Sequence, residues 1–170
     1  MKKVLISIHP RWCAEIFNGQ KTIEVRKSFP RQLETPFEVL VYCTKGKENE
    51  KMCFDRYSPY IGNGKVIGEF VCDKIEKIEF QAQCSSTLSE RWMFNRIAKQ
   101  ACLTAVDMSA YLNGDNGYGW HITAPTLFDK PKELSEFRKV CLNGKCSDCI
   151  YEECKITRPP QSWCYVEKLQ

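Results

Sequence analysis

No apolar run in this chain is long enough to cross a bilayer, which excludes a transmembrane helix and, as an expectation, a membrane partner. The opening stretch "MKKVLISIHPRW" has two lysines, but its apolar run of five residues stops at His-Pro-Arg. That is too short for the core of a signal peptide, so the run reads as a first β-strand and the protein as cytoplasmic. No internal repeat and no low-complexity segment appears, which leaves a single domain over residues 1–170 as the expectation. The net charge is only +4. It is also uneven: residues 1–31 hold seven Lys or Arg against Glu15 and Glu24, so the remainder is close to neutral. A basic N-terminal region suits an anionic partner such as RNA or a nucleotide, or else a solvated face.

Cysteine is abundant, at eleven residues. Without a secretion signal, a disulfide framework is not expected. Cys13, Cys43, Cys53, Cys72, Cys84, Cys102 and Cys164 are scattered and read mostly as small buried hydrophobes. The other four fall together in "CLNGKCSDCIYEEC", residues 141–154. Cys141, Cys146, Cys149 and Cys154 give a C-x4-C-x2-C-x4-C spacing, and four thiolates in a tetrahedron are what structural zinc requires. Residues 141–155 hold few apolar side chains, so metal would supply their reason to order. An iron–sulfur cluster and reversible disulfides remain open alternatives.

The chain alternates strands with a few helices. "KKVLISI" is a short buried strand, and "PRWCAEIFNG" a helix with Pro10 in its first turn and Asn18-Gly19 at its end. "KTIEVRK" alternates, with Ile23 and Val25 on one face and Thr22, Glu24 and Arg26 on the other. It reads as a strand with one buried face, and Lys21 leaves from the turn before it, where it need not pack. "FEVLVYCT" is a buried strand, and residues 45–60 a loop. "GKVIGEFVCDKIEKIEF" is one long strand or two, with a bend at Gly68. Two helices follow in 88–113, and Thr104 with Asp107 outlines a capping box. "YGWHITAPTLF" and "ITRPPQSWCYVEKL" return to strand, with a short helix in "PKELSEF" between them. The pattern predicts an α+β fold around a small β-barrel with flanking helices and a Cys-rich metal loop near the C-terminus.

The order of these pieces resembles the ASCH domains of the PUA-like superfamily. The core Gly-x-Lys-x-x-Glu-x-Arg is matched by Gly19, Lys21, Glu24 and Arg26. "GKVIGEF", Tyr111-Leu112, "YGWHI", "PKELSEF" and "RPPQSWCYVE" agree in order, and the resemblance spares only 45–60 and 141–155. It implies a PUA-like pseudo-barrel with a cleft between barrel and helices, binding RNA or a nucleotide. One branch looks like amidohydrolases acting on N4-acylated cytidine, with a lysine at this position, a nearby threonine and a glutamate; other members are described as ribonucleases. This chain departs from that branch by placing Glu24 where the threonine stands.

On this reading Lys21 and Arg26 hold a phosphate or base edge, and Glu24 orients them or accepts from a base amino group. Trp120 or His121 would line the cleft and stack a base; otherwise Trp120 is core and His121 an edge residue. His9 caps the first helix or touches a phosphate. If the protein is a hydrolase, Lys21, Glu24 and Glu69 are the catalytic candidates, although Glu69 also fits simple surface pairing. A protein-interaction adaptor that uses the cysteine loop is the third possibility.

Overall fold

The computed structural model describes residues 3–46, 62–140 and 154–168. The chain forms two compact units. The first comprises Met1–Ala14, Glu38–Phe70 and Thr126–Gln170; the second comprises Glu15–Phe37 and Val71–Pro125.

A six-stranded sheet dominates the first unit. Its strands in chain order are β1 (Lys3–Ile8), β3 (Phe37–Cys43), β4 (Val66–Cys72), β7 (Thr123–Lys132), β8 (Phe137–Lys139) and β9 (Trp163–Lys168). Their spatial order is β7-β4-β3-β1-β9-β8. The first strand runs parallel to β3, with Ile6 opposite Val41, and antiparallel to β9, with Leu5 opposite Cys164. β1 and β3 are near-continuous apolar runs because both lie inside the sheet. Leu5, Leu40, Tyr42, Val66, Phe137 and Val166 form the core of this unit. Ser7 Oγ donates to Pro160 O at 2.6 Å, which ties the proline-rich lead-in of β9 to the first strand.

The second unit holds a three-stranded sheet in the order β2-β6-β5, from β2 (Ile23–Arg26), β5 (Ile75–Ile78) and β6 (Gly117–His121). Helix α1 (Pro10–Phe17) leads into it, and α2 (Leu88–Gln100) and α3 (Ala105–Leu112) cover one face. The expected caps are present. Thr104 Oγ1 accepts from Asp107 N, the Asp107 carboxylate accepts from Thr104 N, and Asn113 closes α3 in the left-handed region. Ile23, Val25 and Ile78 bury against Phe94, Ile97, Ala98, Met108 and Leu112. Each of these side chains except that of Ala98 contributes about 1.5–3 kcal/mol of burial. Gly117 and Gly119 make that closeness possible: a Cβ at Gly119 would stand 3.1 Å from Ile23 Cγ2 and 3.7 Å from Ile97 Cγ2.

The α+β class is as expected, but the small barrel is not formed by the described strands. They divide between a six-stranded and a three-stranded sheet, neither of them a closed sheet, so a barrel is not shown among the described residues. Among the described residues no helix is long and apolar enough to cross a membrane.

Candidate functional site

The motif strand is fixed at its start by backbone. Gly19 ends the first helix at φ +75°, and the N–H groups of Gln20 and Lys21 both donate to Glu15 O. Thr22 N then donates to Gln100 O, and Ile122 N to Thr22 O. This places Lys21 beside the C-terminus of α2, where a helix leaves carbonyls without intrahelical donors. Lys21 Nζ donates to one of them, Ala101 O, at 2.8 Å. A cation there also complements the helix dipole.

The same ammonium lies 3.2 Å from Glu24 Oε2, and Glu24 Oε1 is 2.8 Å from Arg26 Nη2. The three residues are 3%, 7% and 8% exposed. Two cations and one carboxylate thus form a buried line along a single strand. Burial works to raise the Glu24 carboxyl, but Lys21 and then Arg26 overcome it and hold the group below its ordinary value of 4.5. The sequence placed Lys21 in a turn with nothing to pack against, and β2 as a strand with one buried face. Both expectations are corrected: every residue of Ile23–Arg26 is buried, because the strand carries helices on one face and its own ion network on the other.

Cross-strand register sorts the remaining candidates. Glu24 lies opposite Trp120 and Arg26 opposite Tyr118, while Ile75 and Lys77 flank them on β5. Directly opposed residues share a face, so Glu24, Arg26, Trp120 and Tyr118 stand together. Trp120 is fully buried, with its ring edge-on to Phe37 at 6.0 Å. It is core and offers no face to a base. His121 alternates to the helix side of the sheet. There its Nε2 lies 2.9 Å from Glu76 Oε2, which also accepts from Arg96 Nη2 at 2.9 Å, while Lys74 Nζ reaches Oε1. Against the opposing effect of burial, Arg96, Lys74 and His121 hold Glu76 down at about 2. His121 therefore belongs to a second polar cluster, not to the Glu24 face.

Tyr111 on α3 is near enough to feel the motif charges. Burial raises its phenol, with Arg26 opposing and Glu24 adding to the rise, which puts the ring within the field of both. It is 44% exposed. Glu69 lies in the first unit, where it pairs with Lys3 at 3.0 Å beside Glu38, the surface pairing that its sequence also allowed. His9 is exposed, and its backbone carbonyl accepts from Cys13 N in the first turn of α1. Of the zinc candidates, Cys141, Cys146 and Cys149 lie outside the described residues and Cys154 is half-buried. Among the described residues no group of three or more metal-ligating side chains comes together.

Comparison with known proteins places this geometry. No family profile matches the chain, and no curated protein sequence matches it. Solved structures do. An ASCH protein of Zymomonas mobilis matches with TM-score 0.54 and 18% identity over 99% of this chain and 87% of its own. Its serine-to-alanine variant matches with TM-score 0.59 and 18% identity, covering 99% and 88% of the two chains. A tyrosine-to-phenylalanine variant gives 0.54 and 18% over 100% and 91%. The chain has the fold of the ASCH proteins.

Proposed function

We propose that this chain is an ASCH-type module that binds RNA or a nucleotide through the unit carrying Lys21, Glu24 and Arg26. The observation that supports this most is the buried ion network. Two cations share one carboxylate at β2, and Tyr118 stands opposite Arg26 on the neighbouring strand β6, so positive charge and an aromatic ring are held side by side. Burial of charge is costly unless geometry is fixed, and a fixed guanidinium is what phosphate or base-edge recognition uses. Lys21 serves as a donor to Ala101 O and Glu24, a positioning role more than that of a nucleophile.

The test is fluorescence anisotropy with labelled single-stranded RNA, duplex RNA and free nucleotides at several salt concentrations. Affinity that falls steeply with salt, and is weakened by Arg26→Gln, supports the reading. No affinity for any of these at low salt discards it. Turnover of N4-acetylcytidine or of labelled RNA that disappears in Lys21→Ala would replace the binding module with a hydrolase. We also propose, from the cysteine spacing alone, one structural zinc on Cys141, Cys146, Cys149 and Cys154. Elemental analysis that finds no metal, or iron with visible absorption, would refute that assignment.

A further inference from the structure

We infer that Phe29 and Tyr118 form a stacking platform for one unpaired nucleobase, beside the guanidinium groups of Arg26 and Arg31. The inference rests on the RNA-binding reading above and names the part of that surface which would take a base.

The two rings are held against each other with centroids 4.6 Å apart and planes at 55°. Both residues are half-buried, so packing fixes them while part of each stays within reach of solvent. Tyr118 is set by the sheet. It alternates with Gly117 and Gly119, whose missing side chains admit the helices, and so it must project from the opposite face. Arg26 is its direct neighbour on β2 and Lys77 its neighbour on β5. Phe29 follows β2 by three residues, and the Arg31 guanidinium carbon lies 5.9 Å from its ring centroid. Aromatic faces interleaved with cations are the common arrangement for single-stranded nucleic acid: rings stack bases while cations follow the backbone. An apolar protein partner would be met by aliphatic neighbours, whereas this ring pair is flanked by arginines. Trp120, the stacking candidate in the sequence, is unavailable to a base because it is fully buried.

The experiment uses the whole chain with two oligomers of equal length and charge: a single-stranded RNA carrying 2-aminopurine, and an abasic ribose-phosphate strand. The expectation is that wild-type protein binds the RNA more tightly than the abasic strand and quenches the 2-aminopurine. Phe29→Leu should weaken RNA binding by roughly 5- to 100-fold, remove the quench and leave abasic binding and the salt dependence unchanged. Tyr118→Phe keeps the ring and should keep the quench, so loss of the quench in that folded variant would overturn the platform. If Phe29→Leu binds RNA as the wild type does, while Arg26→Gln loses binding, the platform is wrong and the binding module stands. If wild-type protein treats both oligomers alike, or a non-nucleic protein ligand alone competes at this face, the platform is overturned. If wild-type protein binds neither oligomer, the platform is overturned, whereas the binding reading falls only if duplex RNA and free nucleotides fail to bind as well.

Discussion

Replacing Lys21 by methionine separates a buried structural cation from a loose surface lysine. Methionine restores most of the side chain's volume, so no large cavity contributes. What disappears includes the ion pair with Glu24 and the hydrogen bond to Ala101 O, both where Lys21 is 3% exposed. Breaking a buried pair costs about 3–5 kcal/mol, and a carbonyl left without its donor adds about 1 kcal/mol. Arg26 still compensates Glu24 from 2.8 Å, which favours the lower end. The expected loss is therefore about 3 kcal/mol at neutral pH, or roughly 10 °C in thermal midpoint for a chain of this size. A surface lysine would give less than about 0.5 kcal/mol.

The pH dependence supplies an independent check. The folded-state Glu24 carboxyl lies below 4.5, because its two cations outweigh the effect of burial. A depressed carboxylate adds stability above its unfolded value and loses it as pH falls through the folded value. Part of that depression comes from Lys21. The deficit of Lys21→Met should therefore be full above about pH 4.5 and shrink below it. Thermal melts of both proteins from pH 7 to pH 3 measure this. A midpoint within about 2 °C of wild type at pH 7, or a deficit equally large at pH 3, would refute the buried-network account.

Glu76→Gln should cost about 1–2 kcal/mol after solvent screening, since it removes the negative charge and one of the two acceptor oxygens that Arg96, Lys74 and His121 share. Because the wild-type carboxyl is held at about 2 instead of 4.5, the difference should be full above about pH 4.5 and fade toward pH 2 in urea titrations. Gly119→Ala should destabilise by roughly 1 kcal/mol or more in a thermal melt, because the new Cβ meets the fully buried Ile23 at 3.1 Å. A stabilised variant would mean the helices can give way. Thr104→Ala should cost about 1 kcal/mol by losing the cap of α3, with helical circular dichroism and the melting midpoint as readouts.

Much of the fold was legible because its signals are local. Pro10 and Asn18-Gly19 bracket α1, Thr104 and Asp107 cap α3, and the apolar run of β3 marks an interior strand. The open sheets were not legible, because strand pairing depends on contacts far apart in sequence, such as Leu5 with Cys164. At the site, alternation separated Glu24 and Arg26 from Ile23 and Val25 correctly, but it could not say that both faces are covered. Lys21 was misjudged for a related reason: its partner Ala101 is eighty residues away, at the end of a helix whose position local sequence does not fix.

The burial of Lys21 changes what the proposed binding reading asks of each motif residue. If Lys21 were exposed, its charge would reach a ligand directly. Buried, it closes the end of α2 and helps hold Glu24 ionised, and Glu24 in turn holds Arg26. Of the three, Arg26 is the one whose strand neighbour, Tyr118, is half-buried and not core. On the proposed binding reading, Lys21 and Glu24 act through Arg26 as positioning residues. Their loss should damage stability and recognition together, whereas a change at Phe29 should affect recognition alone.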